Sequence, residues 1–137
     1  MSDFERERRE AVDAGENALR SLRNAKSELR SARGWGIYDI LKGGMISTAI
    51  KHSKMSNAAR DIEQARWDLQ KFSREVSDVT AITGVDFAVG DFAIFADYFF
   101  DGLIADFYMQ SKIKKALAQV DEAIYRVENI LSQLRRY

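Results

Sequence analysis

The sequence contains no cysteine, no proline and a single histidine. Without cysteine there can be no disulfides, thiol nucleophiles or thiolate metal sites. Average usage would place about seven prolines in a chain of this length; their absence suits long helices, whose interiors proline breaks. Lys and Arg are also missing from residues 76–110. That window carries six acidic residues, all Asp (Asp78, Asp86, Asp91, Asp97, Asp101 and Asp106), and eight aromatics. The remainder holds all 21 basic residues against 15 acidic ones, so a net charge of zero conceals an acidic aromatic block in a mildly basic frame. Such a block needs a partner: a core, another subunit, a cation or a basic surface.

The 137 residues suffice for one domain with one core. The chain starts Met-Ser-Asp-Phe-Glu-Arg, with no apolar h-region, so no signal peptide is expected. The most apolar stretch, Phe87 to Met109, includes four carboxylates. Each costs about 3 kcal/mol at the centre of a membrane helix, so no membrane span is expected. A soluble, cytoplasmic protein is the expectation. The balanced charge argues against nucleic acid as a partner, since such proteins usually carry a basic excess.

Three stretches place apolar residues alternately four and three apart, the pattern of packed helices. The first is Ala11, Gly15, Ala18, Leu22, Ala25, Leu29 and Ala32, within a helix expected over 3–33. Ser2 and Glu5 have capping-box spacing at its start. The second is Ala58, Ile62, Ala65, Leu69, Phe72, Val76 and Val79, in a helix expected over 56–80. The third is Ile113, Leu117, Val120, Ile124, Val127, Leu131 and Leu134. Together they specify an all-α fold, an antiparallel long-helix bundle or coiled coil.

Between the first two stripes, residues 34–54 read as a Gly-rich connection containing a short helix near Ile46–Ile50. Near Asp91 the chain becomes helical again, with Phe92, Phe99, Phe100, Leu103 and Phe107 on one side. Asp91, Asp97, Asp101 and Asp106 fall on the other half with Tyr98 and Phe95. Two layouts fit. In a compact one, the three stripes form an up-down-up bundle with the special connections at opposite ends. In an extended one, residues 91–137 form a single helix, with a possible break near Gly102. The second helix then packs antiparallel to 91–112, the first antiparallel to 113–134, and the uncovered apolar surface implies a homodimer.

Several residues could carry chemistry. Asp97 and Asp101 are i,i+4 neighbours, a spacing that can hold Mg²⁺ or another divalent cation, with Asp106 further along. The alternative is a solvated acidic face and no cofactor. Glu75 and Asp78 form an ExxD half-site of the type all-α nucleotide pyrophosphohydrolases use for Mg²⁺, but no convincing second pair of glutamates accompanies it. His52, flanked by Lys51 and Lys54, is an acid, base or phosphate contact on one reading and a structural cap or ion-pair partner on the other. Gly34, Gly36, Gly43 and Gly44 match no phosphate-loop pattern, and close packing of Trp35 and Tyr38 explains them better. Asp106 and Gln110 continue the third stripe backwards, as register-fixing polar residues or as solvated ones. Finally, residues 34–54 carry Lys42, Lys51 and Lys54 against Asp39 alone, a charge complement to the Asp block.

GWGIYD, the Gly-Gly pair, IKHSK and FADYFFDGLIADF resemble motifs of an uncharacterised family of small helical bacterial proteins, over about residues 34–110. The flanking helices are similar to coiled coil in general. The resemblance implies a soluble bacterial helical protein and transfers no catalytic residue. A non-enzymatic protein acting by self-association or partner-protein binding is therefore the leading expectation. A divalent-metal enzyme or metal-binding protein is the alternative.

Overall fold

The computed structural model describes the backbone of residues 2–42, 45–85, 87, 89–103 and 113–136. Within these it describes the side chains of 2–31, 59–85, 87, 90–99, 101–102 and 113–136. Among the described residues the chain forms four helices: α1 (Asp3–Lys42), α2 (Met45–Thr83), α3 (Val89–Leu103) and α4 (Ile113–Arg136). Ser2 caps α1, its Oγ accepting the Glu5 N–H at 3.2 Å. At its C-terminus α2 closes on Gly84, whose φ of 72° is the left-handed turn glycine favours. There the Gly84 N–H reaches the Thr80 carbonyl at 2.8 Å.

Side-chain pairs fix the directions. Arg135 meets Glu16, Arg23 meets Glu128 and Lys26 meets Asp121, so α4 runs antiparallel to α1. Arg126 lies over Phe95, and Gly102 faces Gln119, so α3 and α4 are also antiparallel. Phe72 of α2 packs edge-on against Phe92 of α3, with centroids 5.5 Å apart. Ser21 of α1 bonds to Asp68 of α2. Among the described residues the backbones of α1 and α3 do not approach closely, nor do those of α2 and α4. The result is an up-down-up-down bundle with α1 diagonal to α3.

The three apolar stripes are its buried faces. Ala11, Ala18, Leu22, Ala25 and Leu29 of α1 are buried with Ile62, Ala65, Leu69, Phe72, Val76 and Val79 of α2. Leu117, Val120, Val127, Leu131 and Leu134 of α4 join them, and Phe92, Ala96 and Phe99 of α3 close the fourth side. Gly15 lies at a close approach of α1 to its neighbours, where a Cβ would stand 2.6 Å from Leu131 and 2.8 Å from Phe72.

Neither expected layout is found whole. The pairings of α1 with α4 and of α2 with α3 are those of the extended layout, but no single helix spans 91–137. Instead the chain reverses between Leu103 and Ile113, because α4 can then cover α1 and α3 together. A straight rod would leave those apolar faces in water, at about 25 cal/mol per Å². The expected helix boundaries also shift. Helix α1 continues through Gly34 and Gly36 to Lys42, and α2 already begins at Met45, so most of 34–54 is helical. A glycine inside a helix costs about 1 kcal/mol, and no proline is present to interrupt either ladder. Phe95, expected on the acidic side of α3, is half-buried against Phe92 and Phe99 instead.

Candidate functional site

Helix α1 divides the charged exterior. Its residues Glu7, Ala14, Ser21 and Glu28 recur every seven positions along the flank facing α2. On α2 the facing line is Asp61, Asp68 and Glu75, again seven apart. Together these two lines form a flank rich in carboxylates where α1 meets α2. In the middle, Asp68 is satisfied by hydrogen bonds from the Ser21 hydroxyl and the Gln64 side-chain amide. At either end like charges meet. Glu7, Glu10 and Glu75 bring one carboxylate oxygen each within 4.8 Å of one another. Burial, then Glu10, Asp78 and Glu7, push the Glu75 carboxyl above its ordinary value, while Lys71 pulls less strongly the other way. At the opposite end, burial and then Glu28 raise Asp61 against a smaller pull from Arg60. One oxygen each of Glu7 and Glu28 is buried with no hydrogen-bond partner.

The other flank of α1 is different. Arg9, Glu16 and Arg23 line up seven apart beside α4. Three ion pairs cross here: Arg135–Glu16 at 2.8 Å, Lys26–Asp121 at 2.6 Å and Arg23–Glu128 at 3.4 Å. Even so, arginine is in excess. One cleft is lined by Arg20, Arg23 and Arg135 against Glu16 and Glu128, and the next by Arg8, Arg9 and the same Arg135 against Glu5. Arg8 and Arg9 form no ion pair among the described residues, and Arg20 bonds only to Asn17.

The residues singled out in the sequence are distributed elsewhere. Asp97, Tyr98 and Asp101 are all exposed on α3. Counting along antiparallel helices from the Phe72–Phe92 contact sets Asp97 level with Trp67 and Asp101 level with Glu63. The described acids that converge in a group of three are Glu7, Glu10 and Glu75 rather than the Asp97/Asp101 pair. Trp35, Tyr38 and Asp39 belong to α1, and Lys51, His52 and Lys54 to α2, but their side chains lie outside the described residues. So does Asp106, and with it the expected contact between the lysines and the Asp block. Beside Tyr98, a shallow apolar recess of about 140 Å³ is lined by Phe95, Phe99, Gly102 and Gln119. Arg126 covers its aromatic wall, 4.6 Å from the Phe95 centroid.

Glu75 and Asp78 were legible as an ExxD spacing, but their counterpart, Glu7-x-x-Glu10, was missed. Its spacing is present in the sequence, hidden in a run where acids and arginines alternate. No family model matches the chain, and neither a curated protein nor a solved structure matches it.

Proposed function

We propose that this protein acts non-enzymatically, by association through its helix faces, as a homo-oligomer or with a partner protein. The observation that carries this reading is the division of charge on either side of α1. Acids gather on the α2 side, where Lys71 and Arg60 offset them only in part, and arginines exceed their partners on the α4 side. Exposed like charges held on a rigid helix repel one another, and that repulsion is relieved when an oppositely charged surface docks. Such complementarity chooses a partner and sets its rate of encounter more than it adds affinity. Among the described residues, no helix is long and apolar enough to cross a membrane. We set the association in a bacterial cell, on the resemblance of the GWGIYD, IKHSK and FADYFFDGLIADF motifs. A melting temperature that rises with protein concentration is the expected outcome for a self-associating chain. Melting independent of both concentration and salt would count against it.

A second reading has its own observation. Three carboxylates within 4.8 Å, with one Glu7 oxygen buried and unpartnered, are a donor set suited to a hard divalent cation. On this reading the metal-binding residues are Glu7, Glu10 and Glu75 rather than Asp97 and Asp101. Mg²⁺, Mn²⁺ or Ca²⁺ would then raise the melting temperature of the protein and leave that of Glu75→Gln unchanged.

A further inference from the structure

The two flanks of α1 are complementary in spacing as well as in sign. On the α2 side, the acid foci centre on Glu75 and on Asp61, which lie two heptads apart on one helical line. On the α4 side, Arg9 and Arg23 also lie two heptads apart on one line. At 1.5 Å per residue both separations are about 21 Å. Each acid focus contains at least two carboxylates: Glu7 and Glu10 with Glu75, and Glu28 with Asp61. Each basic focus contains at least two guanidiniums: Arg8 with Arg9, and Arg20 with Arg23, of which Arg23 already shares a long, exposed contact with Glu128. The whole chain has no net charge to oppose the approach of a second molecule.

From this match we infer that the carboxylate flank between α1 and α2 of one molecule docks on the arginine flank between α1 and α4 of another. The inference rests on the association reading above and names its partner as a second copy of this chain. Because the joined surfaces differ, the contact is heterologous. Its smallest product is a dimer that leaves one acidic and one basic flank open. Planar guanidiniums suit this role, since each can grip a carboxylate through two parallel hydrogen bonds. Docking would also add to the counter-charge that Lys71 and Arg60 supply only in part to Glu75 and Asp61, where burial and neighbouring carboxylates disfavour the ionised forms.

The test uses two full-length variants, each reversing one flank. Glu75→Lys with Asp61→Lys abolishes the acidic face, and Arg9→Glu with Arg23→Glu abolishes the basic one. Circular dichroism first confirms that each retains its helices and melts cooperatively. Mass is then measured by light scattering in line with gel filtration, in low and in high salt. The expected result is a mass for the natural chain that grows with concentration and falls with salt. Each variant alone stays at one copy, and an equimolar mixture assembles again, since its intact flanks match and its reversed flanks match in the opposite sense. The mixture is decisive because assembly returns only where flanks of opposite charge meet again. Should a variant fail to fold, the milder pair Glu75→Gln and Arg9→Gln is used, with at least a tenfold weakening of self-association expected from each. Assembly that survives both reversals would overturn the flank assignment while leaving the association reading in place. A natural chain of one copy at every concentration and salt would overturn the inference and self-association together.

Discussion

The carboxylates of Glu75 and Asp61 are where single residues leave a measurable trace. Both are raised above the ordinary carboxylate value, first by burial and then by neighbouring acids. For an acid whose folded-state value lies above its unfolded one, the stabilising contribution is full below the unfolded value. It is lost as pH rises through the folded value. These two groups therefore weaken the fold near neutrality and cease to do so as pH falls towards the range of about 4 to 4.5. The Glu75→Gln variant, which keeps the shape without the charge, is expected to melt above the natural protein at pH 7. That advantage should shrink steadily between pH 7 and pH 4.5, in parallel thermal melts at matched low concentration. A constant offset, or a natural protein that melts higher at pH 7, would show that the Glu7, Glu10 and Glu75 cluster carries no electrostatic cost. Only half of this cluster was legible in the sequence. Glu75 and Asp78 stand out by spacing, as the last charges before the uncharged run 79–85. Glu7 and Glu10 stand in RERREAVDAGE, where nearly every helical spacing links two charges. Only the register of α1 against α2 selects that pair.

At the scale of helices, the heptad stripes foretold which faces would be buried, because a period near 3.5 encodes a face directly. They could not foretell direction. The third stripe runs backwards through Gln110 and Asp106 without a change of phase, as it would in one continuous helix. Whether the chain continues or turns back depends on which arrangement covers α1 and α3 together, a property of three helices at once. Glycine misled for a related reason. A local penalty of about 1 kcal/mol marked 34–54 as a connection, yet α1 and α2 continue through most of that interval. Gly15, by contrast, is required by packing, since Leu131 and Phe72 occupy the space a side chain would take. Gly15→Val is expected to destabilise the bundle by about 3 kcal/mol, the upper part of the usual range for overpacking. Chemical denaturation would read this as a lower midpoint at unchanged slope. A neutral or stabilising effect would mean that α1 and α4 do not approach as closely as described.

For the whole molecule, neutrality and segregation belong together. One bundle presents carboxylates on one side of α1 and arginines on the other, and its formal net charge is zero. Inside the molecule, opposite charges are already paired where α1 meets α4, through Glu16, Arg23 and Lys26. Where α1 meets α2 the acids outweigh the pull of Lys71 and Arg60, and on the proposed reading that imbalance is answered by a second molecule. The sequence disclosed the charge inventory and the acidic block of α3, but the division across α1 needed the neighbours of that helix to be known. Small-angle scattering with in-line mass determination tests the association account most directly. The account predicts a mass above the 15.6 kDa of one chain, rising with concentration in low salt and returning towards it in high salt. A particle that stays at the mass of one chain throughout would contradict it.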